Sequence, residues 1–210
     1  MNITIIGAGN MSSGLVKQLS VAGHQIRVTS RDLAKAQALA SSYANVTATP
    51  ASQALGQSEV VIVATAYADA VPALKSLGNL SGKIVVDITN PLTADYMGLT
   101  IGHTTSAAEE IAKALPEVEV VKAFNTVFAQ VLAEGPDFGN GHTVPVFVAS
   151  DSERAKQTAR ALAESIGFST IDAGGLKNAR YLEALGGLNI YLGYGAGLGT
   201  SIAPTWIKRS

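Results

Sequence analysis

The sequence predicts an α/β protein, a doubly wound parallel sheet with a small helical C-terminal extension. Short β-branched runs alternate with alanine-rich helical stretches along most of the 210 residues, a pattern that builds parallel sheets. Residues 60–64 are apolar at every position, as expected of a central strand that helices cover on both faces. The composition shifts to Leu, Gly and Tyr from Leu176 onward. Residues 1–175 are therefore predicted as one domain and residues 176–210 as a helical extension packed on it.

The predicted strands and helices alternate along the chain. The expected strands are 2–6, 25–29, 46–48, 60–64, 83–88, 120–123, 144–149 and 169–172. The expected helices are 11–22, 33–42, a turn near 51–55, 70–77, 106–115 and 153–166. Two irregular stretches, 90–105 and 133–143, interrupt the pattern. Loops of this kind at strand ends border the ligand crevice in α/β proteins.

The composition is that of a globular protein with an ample core, since 47% of the residues are hydrophobic and 15% are charged. The formal net charge is −1 and no basic stripe is present, so nucleic acid is not an expected partner. The chain has no cysteine, which excludes disulfides, a thiolate nucleophile and a cysteine-ligated metal.

The two ends of the chain bear on its relation to membranes. The first residues lack a basic region and run into a glycine motif, so they predict a strand and not a signal peptide. Residues 184–207 carry no charge and are long enough to span a bilayer. Six glycines, Asn189 and Pro204 make this stretch too polar for a span and favour a buried C-terminal helix or helix pair. We therefore expect a cytoplasmic protein with no membrane partner.

The strongest functional pattern is a glycine-rich turn between the first strand and the first helix. Residues 5–12 read Ile-Ile-Gly-Ala-Gly-Asn-Met-Ser, a G-x-G-x-x-S motif. Gly7 permits the tight turn, and Gly9 lets the backbone approach a pyrophosphate at the positive end of the helix. Ser12 replaces the third glycine and is small enough for close packing, with Gly14 relieving crowding nearby. In this strand–turn–helix context the motif predicts a Rossmann-type dinucleotide-binding fold; the alternative is a tight turn that binds nothing.

The end of the second strand predicts a preference for NADP(H) over NAD(H). An NAD site places an acidic residue here to hold the ribose hydroxyls, whereas this chain has Ser30 and Arg31. Lys35 lies four residues beyond Arg31, on the same helix face. These hydroxyl and cationic groups can surround a 2′-phosphate. Asp32 is better placed as a helix N-cap. The alternative for the whole group is a solvated helix start with ordinary charges.

Polar groups also follow three other predicted strands, at the carboxyl edge of the sheet where ligands bind. They are Ala64-Thr65-Ala66-Tyr67, residues 87–92 with Asn90 before Pro91, and residues 122–126, which include Ala123-Phe124-Asn125. Ala66 and Tyr67 are expected to flank the ribose of the nicotinamide. Asn90 either acts there or shapes the turn before Pro91. Phe124 and Asn125 are expected to wall the nicotinamide pocket, with a structural role as the alternative for Phe124.

No residue has the sequence context of a general acid, a general base or a metal ligand. The three histidines are far apart, without an i, i+4 pair. His24 is expected to be structural, whereas His103 and His142 are expected on surface loops. Asp69, Asp87, Glu109 and Glu110 are interpreted as helix caps or solvated charges.

Several short segments occur in an order that resembles a known family. They are residues 7–12, Ser30-Arg31 with Lys35, Ser106-Ala107-Ala108-Glu109, residues 121–125, and Asp172-Ala173-Gly174 with Leu176. Along nearly its whole length the chain resembles the deazaflavin (coenzyme F-420):NADP oxidoreductases. It resembles equally the cytosolic NADPH-binding domain of the six-transmembrane ferric and cupric reductases.

The resemblance implies a homodimer in which a hydride passes between the nicotinamide and a stacked small-molecule acceptor, flavin-like or a deazaflavin. The implied NADPH ligands are Gly7, Gly9, Asn10 and Met11, with Ser30, Arg31 and Lys35 near the 2′-phosphate. Such a reaction needs little acid–base help from the protein. The archaeal deazaflavin reductases carry His where this chain has Asn125, and the metalloreductase domains carry Asn. The acceptor is therefore open between a deazaflavin, a flavin and another molecule.

Two other functions fit the same motif. A short relative of pyrroline-5-carboxylate reductase or of the β-hydroxyacid dehydrogenases would begin in the same way, but it needs a longer C-terminal domain than residues 176–210. The β-hydroxyacid enzymes also need a catalytic lysine there, and Lys177 and the terminal Lys208 are the only lysines in that segment. The second alternative is a redox sensor that binds NADPH and signals to a partner through the uncharged C-terminal segment.

Overall fold

The computed structural model describes residues 1–207 and residue 209. It contains a parallel sheet with helices on both faces. Its strands are β1 (Asn2–Ile6), β2 (Gln25–Thr29), β3 (Val46–Ala48), β4 (Val60–Val63), β5 (Ile84–Asp87), β6 (Glu119–Lys122), β7 (Pro145–Val148) and β8 (Ser169–Asp172). The first six pair in the order β3-β2-β1-β4-β5-β6, all parallel. The chain changes direction across the sheet between β1 and β4, and this switch point is where doubly wound folds bind ligands.

The last two strands extend the sheet beyond β6. They pair with each other in parallel, and an antiparallel bridge between Lys122 and Ala149 joins them to β6. The Lys122 amide donates to the Ala149 carbonyl at 2.9 Å, and the reverse bond measures 3.1 Å. The bridge fixes the backbone at the carboxyl end of β6, where polar site residues are expected.

The helices alternate with the strands. They are α1 (Asn10–Val21), α2 (Leu33–Ala40), α3 (Ala51–Ala54), α4 (Tyr67–Lys75), α5 (Ala107–Ala114), α6 (Ala129–Glu134), α7 (Glu153–Ser165) and α8 (Ala179–Ile190). A 3₁₀ turn, Leu176–Asn178, precedes α8, and a π-helical turn, Tyr191–Gly195, follows it. The predicted α/β sheet with a helical C-terminal extension is confirmed. Residues 208 and 210 of the predicted extension lie outside the described residues.

Two apolar clusters pack on the two faces of the sheet. One joins β1 and β2 to α1, α6 and α7 through residues such as Ile5, Leu15 and Leu162. The other joins β4 and β5 to α4 and α5 through residues such as Val61 and Ile111. Buried apolar side chains are the main stabilising contribution to such a fold, and here they hold the strand ends of the switch point in fixed register.

Helix α6 was not predicted from the sequence, and Gly14 explains how it packs. A Cβ atom at Gly14 would lie 2.7 Å from the Leu132 Cβ atom of α6. Gly14 therefore lets α1 and α6 approach each other closely, so the crowding that it relieves is that between these two helices. A six-residue helix that depends on this packing has too short a pattern to recognise from sequence.

The uncharged segment 184–207 is helical only in its first half. The regular helix and the π-helical turn end at Gly195, and the rest of the segment contains no helix. Several large apolar side chains of this segment are exposed: Leu188, Tyr191, Tyr194, Leu198, Trp206 and Ile207. The expectation of a buried helix or helix pair is therefore wrong for much of the segment. No helix within the described residues combines the length and apolarity that a bilayer crossing requires.

Candidate nucleotide-binding site

The glycine turn lies at the switch point between β1 and β4. Gly7 has φ of +120°, a conformation that favours glycine. A Cβ atom there would lie 2.4 Å from the carbonyl oxygen of Ala64. The Gly7 amide donates to the Thr29 carbonyl at 2.8 Å, so the turn is tied to β2 as well. The predicted need for glycine at this position is confirmed.

The N-terminus of α1 is open to a ligand. Gly9 is its N-cap, no side chain caps the helix, and its first turn contains no acidic residue. A Cβ atom at Gly9 would meet no protein atom within 4 Å. The first amides of a helix have no intrahelical acceptor and attract anions. Asn10 and Met11 provide these amides, so the turn fits a pyrophosphate.

Ser12 takes the third glycine position as predicted. Its side chain is fully buried under the turn, and a Cβ atom at Gly7 would lie 3.1 Å from the Ser12 hydroxyl. That hydroxyl has no hydrogen-bond partner among the described residues. A larger side chain would separate α1 from β1, which explains why a small residue is required.

Three residues that follow β2, two of them cationic, form a group that we call the cationic rim: Ser30, Arg31 and Lys35. The group lies beside Asp69. The Ser30 hydroxyl donates to the Asp32 carbonyl at 2.5 Å. The Arg31 side chain is 87% exposed, and its Nη2 atom lies 3.2 Å from the Asp69 Oδ2 atom. Lys35 is also largely exposed, with its Nζ atom 4.0 Å from the Asp32 Oδ2 atom. Both cations can therefore reorient toward a phosphate.

Asp32 is the N-cap of α2, as predicted. Its carboxylate accepts hydrogen bonds from the amides of Ala34, at 3.1 Å, and Lys35, at 3.4 Å. A carboxylate used in this way stabilises the start of the helix. It does not take the position in which an NAD site holds the ribose hydroxyls.

The β4–α4 connection forms the next part of the rim. The Ala64 amide continues the sheet by donating to the Ile6 carbonyl at 2.9 Å. Ala66 is the N-cap of α4, and no side chain caps this helix. Thr65 uses its hydroxyl locally, donating to the Ala66 carbonyl at 3.0 Å. The connection thus presents small side chains and free helix amides.

Tyr67 begins α4 and is half-buried. Burial, and next the nearby Glu110, Glu183 and Asp87 carboxylates, raise the pKa of the Tyr67 hydroxyl. The phenol is therefore protonated at neutral pH and can donate a hydrogen bond to a ligand.

Asn90 and Asn125 form a reciprocal pair. The Asn90 Nδ2 atom donates to the Asn125 carbonyl at 2.7 Å, and the Asn125 Nδ2 atom donates to Asn90 Oδ1 at 2.9 Å. The same Asn125 Nδ2 atom donates to the Leu182 carbonyl of α8 at 2.8 Å. The Asn125 side-chain oxygen is buried and has no partner among the described residues. Asn90 therefore does more than shape a turn: the pair joins β5, β6 and α8.

Ala123 and Phe124 lie behind this pair. The Ala123 side chain is fully buried, and its amide donates to the Asp87 carbonyl at 3.2 Å. Phe124 is 1% exposed and packs edge-on against Phe168 with ring centroids 6.2 Å apart. It has φ of +59°, which is strained for a residue with a side chain. Phe124 fills the structural position given as its alternative, and a direct wall contact is wrong for it.

A buried ionic cluster that sequence reasoning missed lies below the rim. The Lys122 ammonium donates to Asp87 Oδ2 at 2.8 Å and to the Thr89 carbonyl at 2.5 Å, and it forms an ion pair with Glu183 Oε1 at 2.8 Å. The three charged side chains are 0% exposed. The interpretation of Asp87 as a cap or solvated charge is wrong, because the strand end buries it beside Lys122.

Glu183 connects this cluster to two helices. It belongs to α8, and its carboxylate accepts hydrogen bonds from the first amides of α5, those of Ala107 at 2.9 Å and Ala108 at 3.3 Å. Burial raises the pKa of the Glu183 carboxyl, and the Lys122 ammonium opposes part of that rise. The available signal was Lys122 itself, since a lysine inside the apolar run 120–124 must be paired.

The remaining charged candidates are structural. Ser106 is the N-cap of α5: its hydroxyl accepts the Glu109 amide at 3.1 Å and donates to the Glu109 carboxylate at 2.7 Å. The Glu109 carboxylate also pairs with Arg180 at 2.7 Å. The expected structural role of His24 agrees with its burial and its contact with the Ser165 hydroxyl at 2.9 Å.

The histidines predicted on loops, His103 and His142, are exposed. Thr105 donates to the Glu110 carboxylate at 2.7 Å, which places that charge at the start of α5. Within the described residues, no three metal-ligating side chains gather at one point.

Comparison with known proteins identifies chains that are similar to this one in sequence or in fold. Residues 2–91 match the family model described as NADP oxidoreductase coenzyme F420-dependent. The chain is 32% identical over 213 residues to the F420-dependent NADP reductase of Methanothermobacter thermautotrophicus, which covers 91% of this chain and 89% of the relative. A solved structure from Arthrobacter sp. FB24, assigned as an F420-dependent NADP-reductase, superposes with a TM-score of 0.89 at 29% identity, covering 99% of this chain and 100% of that chain.

A second kind of relative is much longer. The chain is 34% identical over 184 residues to Metalloreductase STEAP3 of Rattus norvegicus, which covers 87% of this chain. It spans only 36% of that relative's length. The similarity therefore concerns one part of the metalloreductase.

Proposed function

Since this chain belongs to the family of F420-dependent NADP reductases and is thus an NADP-dependent oxidoreductase, we propose that it transfers a hydride between NADP(H) and a flavin-like or deazaflavin acceptor. The observation that carries the proposal is the open N-terminus of α1, where Gly9 leaves room for a pyrophosphate above uncapped amides. A relative that covers nearly the whole chain bears the name of a reductase that depends on F420.

The proposed dinucleotide lies across the carboxyl edge of the sheet. The turn of Gly7 and Gly9 and the amides of Asn10 and Met11 would hold the diphosphate. The cationic rim of Ser30, Arg31 and Lys35 would hold the 2′-phosphate. This arrangement is supported by the exposure of both cations and by the use of Asp32 as a helix cap.

The nicotinamide end would lie beside Ala64, Thr65, Ala66 and Tyr67, with Ala123 and the Asn90–Asn125 pair behind it. NADP(H), when bound, supplies or accepts the hydride at its nicotinamide ring. The Tyr67 hydroxyl would donate a hydrogen bond to the nucleotide. The Asn90–Asn125 pair would position the surrounding backbone through its bonds to α8. Positioning and exclusion of water are the contributions expected of the protein.

A second copy of the chain is the proposed partner, since homodimers are implied by the family resemblance. Tyr181 and Leu188 of α8 are exposed, as is Tyr191, the first residue of the π-helical turn that continues it. Their spacings place all three on one side of a helix. An exposed apolar stripe of this kind is typical of an interaction surface. A cytoplasmic location is also proposed, in keeping with the sequence.

The test of this function measures binding and turnover separately. Calorimetry should show NADPH binding at least about tenfold tighter than NADH, the effect expected of a charge-assisted phosphate contact. Arg31→Asp should cost about 2–3 kcal/mol of NADPH affinity through lost contact and repulsion. Lys75→Asp, the same charge reversal at the far end of α4, serves as the control. Equal affinity for both nucleotides would refute the phosphate site.

Turnover is then followed as NADPH oxidation with coenzyme F420 or FMN as acceptor. Oxidation with either would support the hydride-transfer proposal. Tight NADPH binding without oxidation by F420, FMN or a quinone would contradict it and favour the sensor function instead.

A further inference from the structure

A carboxylate lies at the cationic rim where the proposed function places a phosphate. Asp69 belongs to the first turn of α4, and its side chain is 40% exposed. It faces Arg31 with both oxygens, at 3.2 Å from Nη2 to Oδ2 and 3.4 Å from Nη1 to Oδ1. Arg31 follows the carboxyl end of β2 and Asp69 lies on the helix that follows β4, so the pair connects two segments at the carboxyl edge of the sheet.

The pair is a weak one by its geometry. Well-formed bonds between a guanidinium and a carboxylate measure about 2.7–2.9 Å, and both distances here are longer. The Arg31 side chain is also 87% exposed, and exposed pairs are screened by water and salt. Asp69 therefore does not clamp Arg31 in one orientation. A phosphate that carries more charge than a carboxylate can displace it.

A phosphate that binds Arg31 must first displace the Asp69 carboxylate from the guanidinium. The free energy of the displaced contact opposes the binding of the ligand that carries this phosphate. NADP(H) carries a 2′-phosphate that NAD(H) lacks, so only the first is affected strongly. The effect acts through Arg31, because this is the group for which the carboxylate and the phosphate compete.

We propose that Asp69 is a specificity-determining residue that competes with the 2′-phosphate for Arg31 and so limits the preference for NADP(H). The inference rests on the proposed function, since it needs a nucleotide at this rim. A limited affinity for NADP(H) allows the oxidised and the reduced nucleotide to exchange.

The experiment is a double-mutant cycle read by calorimetry with NADPH and NADH. Asp69→Asn keeps the shape of the side chain and removes its charge. It should tighten NADPH binding about fivefold, which corresponds to an exposed pair of ordinary strength, and change NADH binding less than about twofold. In the Arg31→Ala background the same substitution should have no effect on NADPH. Raising the salt concentration to about 1 M should shrink the gain.

Two controls separate this effect from others. Glu59→Gln removes the same charge at an exposed position next to the amino end of β4, away from the cleft, and should leave both affinities unchanged. The melting temperature of Asp69→Asn reports the other role of Asp69, its favourable position at the N-terminus of α4. A small fall in melting temperature with tighter NADPH binding would be the expected combination.

The outcomes distinguish the inference from the function on which it rests. If the unmodified protein binds neither nucleotide, the proposed function fails and the inference with it. If the unmodified protein prefers NADPH but Asp69→Asn binds it equally or more weakly, only the inference is overturned. A gain in NADPH affinity that persists in the Arg31→Ala background would also overturn the inference. Asp69 would then act on the nucleotide directly and not by competing for Arg31.

Discussion

Lys122 on β6 and Glu183 on α8 form a fully buried ion pair, with 2.8 Å between Nζ and Oε1. The pair attaches the C-terminal helix to the carboxyl edge of the sheet. The neighbouring residue Leu182 accepts a hydrogen bond from Asn125 through its carbonyl. The C-terminal extension is therefore part of the candidate site, and the ion pair holds it in place.

Lys122→Met should destabilise the protein strongly. The substitution leaves Asp87 and Glu183 buried without their cation, and breaking a buried pair costs about 3–5 kcal/mol. Asp87→Asn should cost less, because Lys122 and Glu183 still neutralise each other. Urea unfolding of the three proteins measures the difference in free energy. A Lys122→Met variant as stable as Asp87→Asn would show that Lys122 is not needed to neutralise the two buried carboxylates.

The two glycines of the turn should respond in opposite ways to alanine. Gly9→Ala has a favourable φ of −92° and open space for its Cβ atom, so its melting temperature should stay near that of the unmodified protein. Its NADPH affinity should fall more than about tenfold, because the methyl group fills the space proposed for the pyrophosphate. Gly7→Ala should lose about 1–3 kcal/mol of stability, since a Cβ atom there clashes with Ala64 at a φ of +120°. Calorimetric binding by a stable Gly9→Ala variant at unchanged affinity would remove the main support for the proposed function.

Local sequence patterns were sufficient to predict the fold and the part of the candidate site around the glycine turn and the start of α2. The turn at Gly7 and Gly9, the N-cap at Asp32 and the alternation of strands and helices all depend on residues close in sequence. Each has a stereochemical reason that one short segment contains. For this reason the structure agrees with the sequence-based predictions at these positions.

The rest of the candidate site depends on contacts between distant segments. Glu183 reaches Ala107 across 76 residues, and Asn90 reaches Asn125 across 35. Nothing in the separate segments indicates which carboxylate meets Lys122. The short helix α6 escaped prediction for a related reason, because its packing depends on Gly14, far away in the chain.

Adjacent glycines in α8 offer a matched test of the Asn90–Asn125 pair. A Cβ atom at Gly186 would lie 2.7 Å from Asn90 Oδ1 and 3.0 Å from the Asn125 carbonyl oxygen. Gly186→Ala should therefore lose about 1–3 kcal/mol of stability and reduce kcat with any active acceptor. Gly187→Ala should be neutral or up to about 1 kcal/mol more stable, because only the movable Leu99 side chain is near, at 3.3 Å. If both variants behave alike in stability and kcat, the pair does not position the site.

The ion pair between Glu109 and Arg180 predicts a dependence of stability on pH. Hydrogen bonds from the Arg180 guanidinium hold the pKa of the Glu109 carboxyl below its ordinary value of 4.5. A carboxyl with a lowered pKa in the folded state contributes stability above its unfolded pKa and loses it as the pH falls through the folded value. Glu109→Gln should thus be less stable than the unmodified protein at pH 7, with a difference that shrinks as the pH falls below about 4.5. Urea unfolding across this range measures the difference, and Glu117→Gln, which removes an exposed carboxylate just before the amino end of β6, controls for the loss of one charge. A difference that stays constant from neutral to acid pH would show that packing of the side chain, and not its charge, stabilises the contact between α5 and α8.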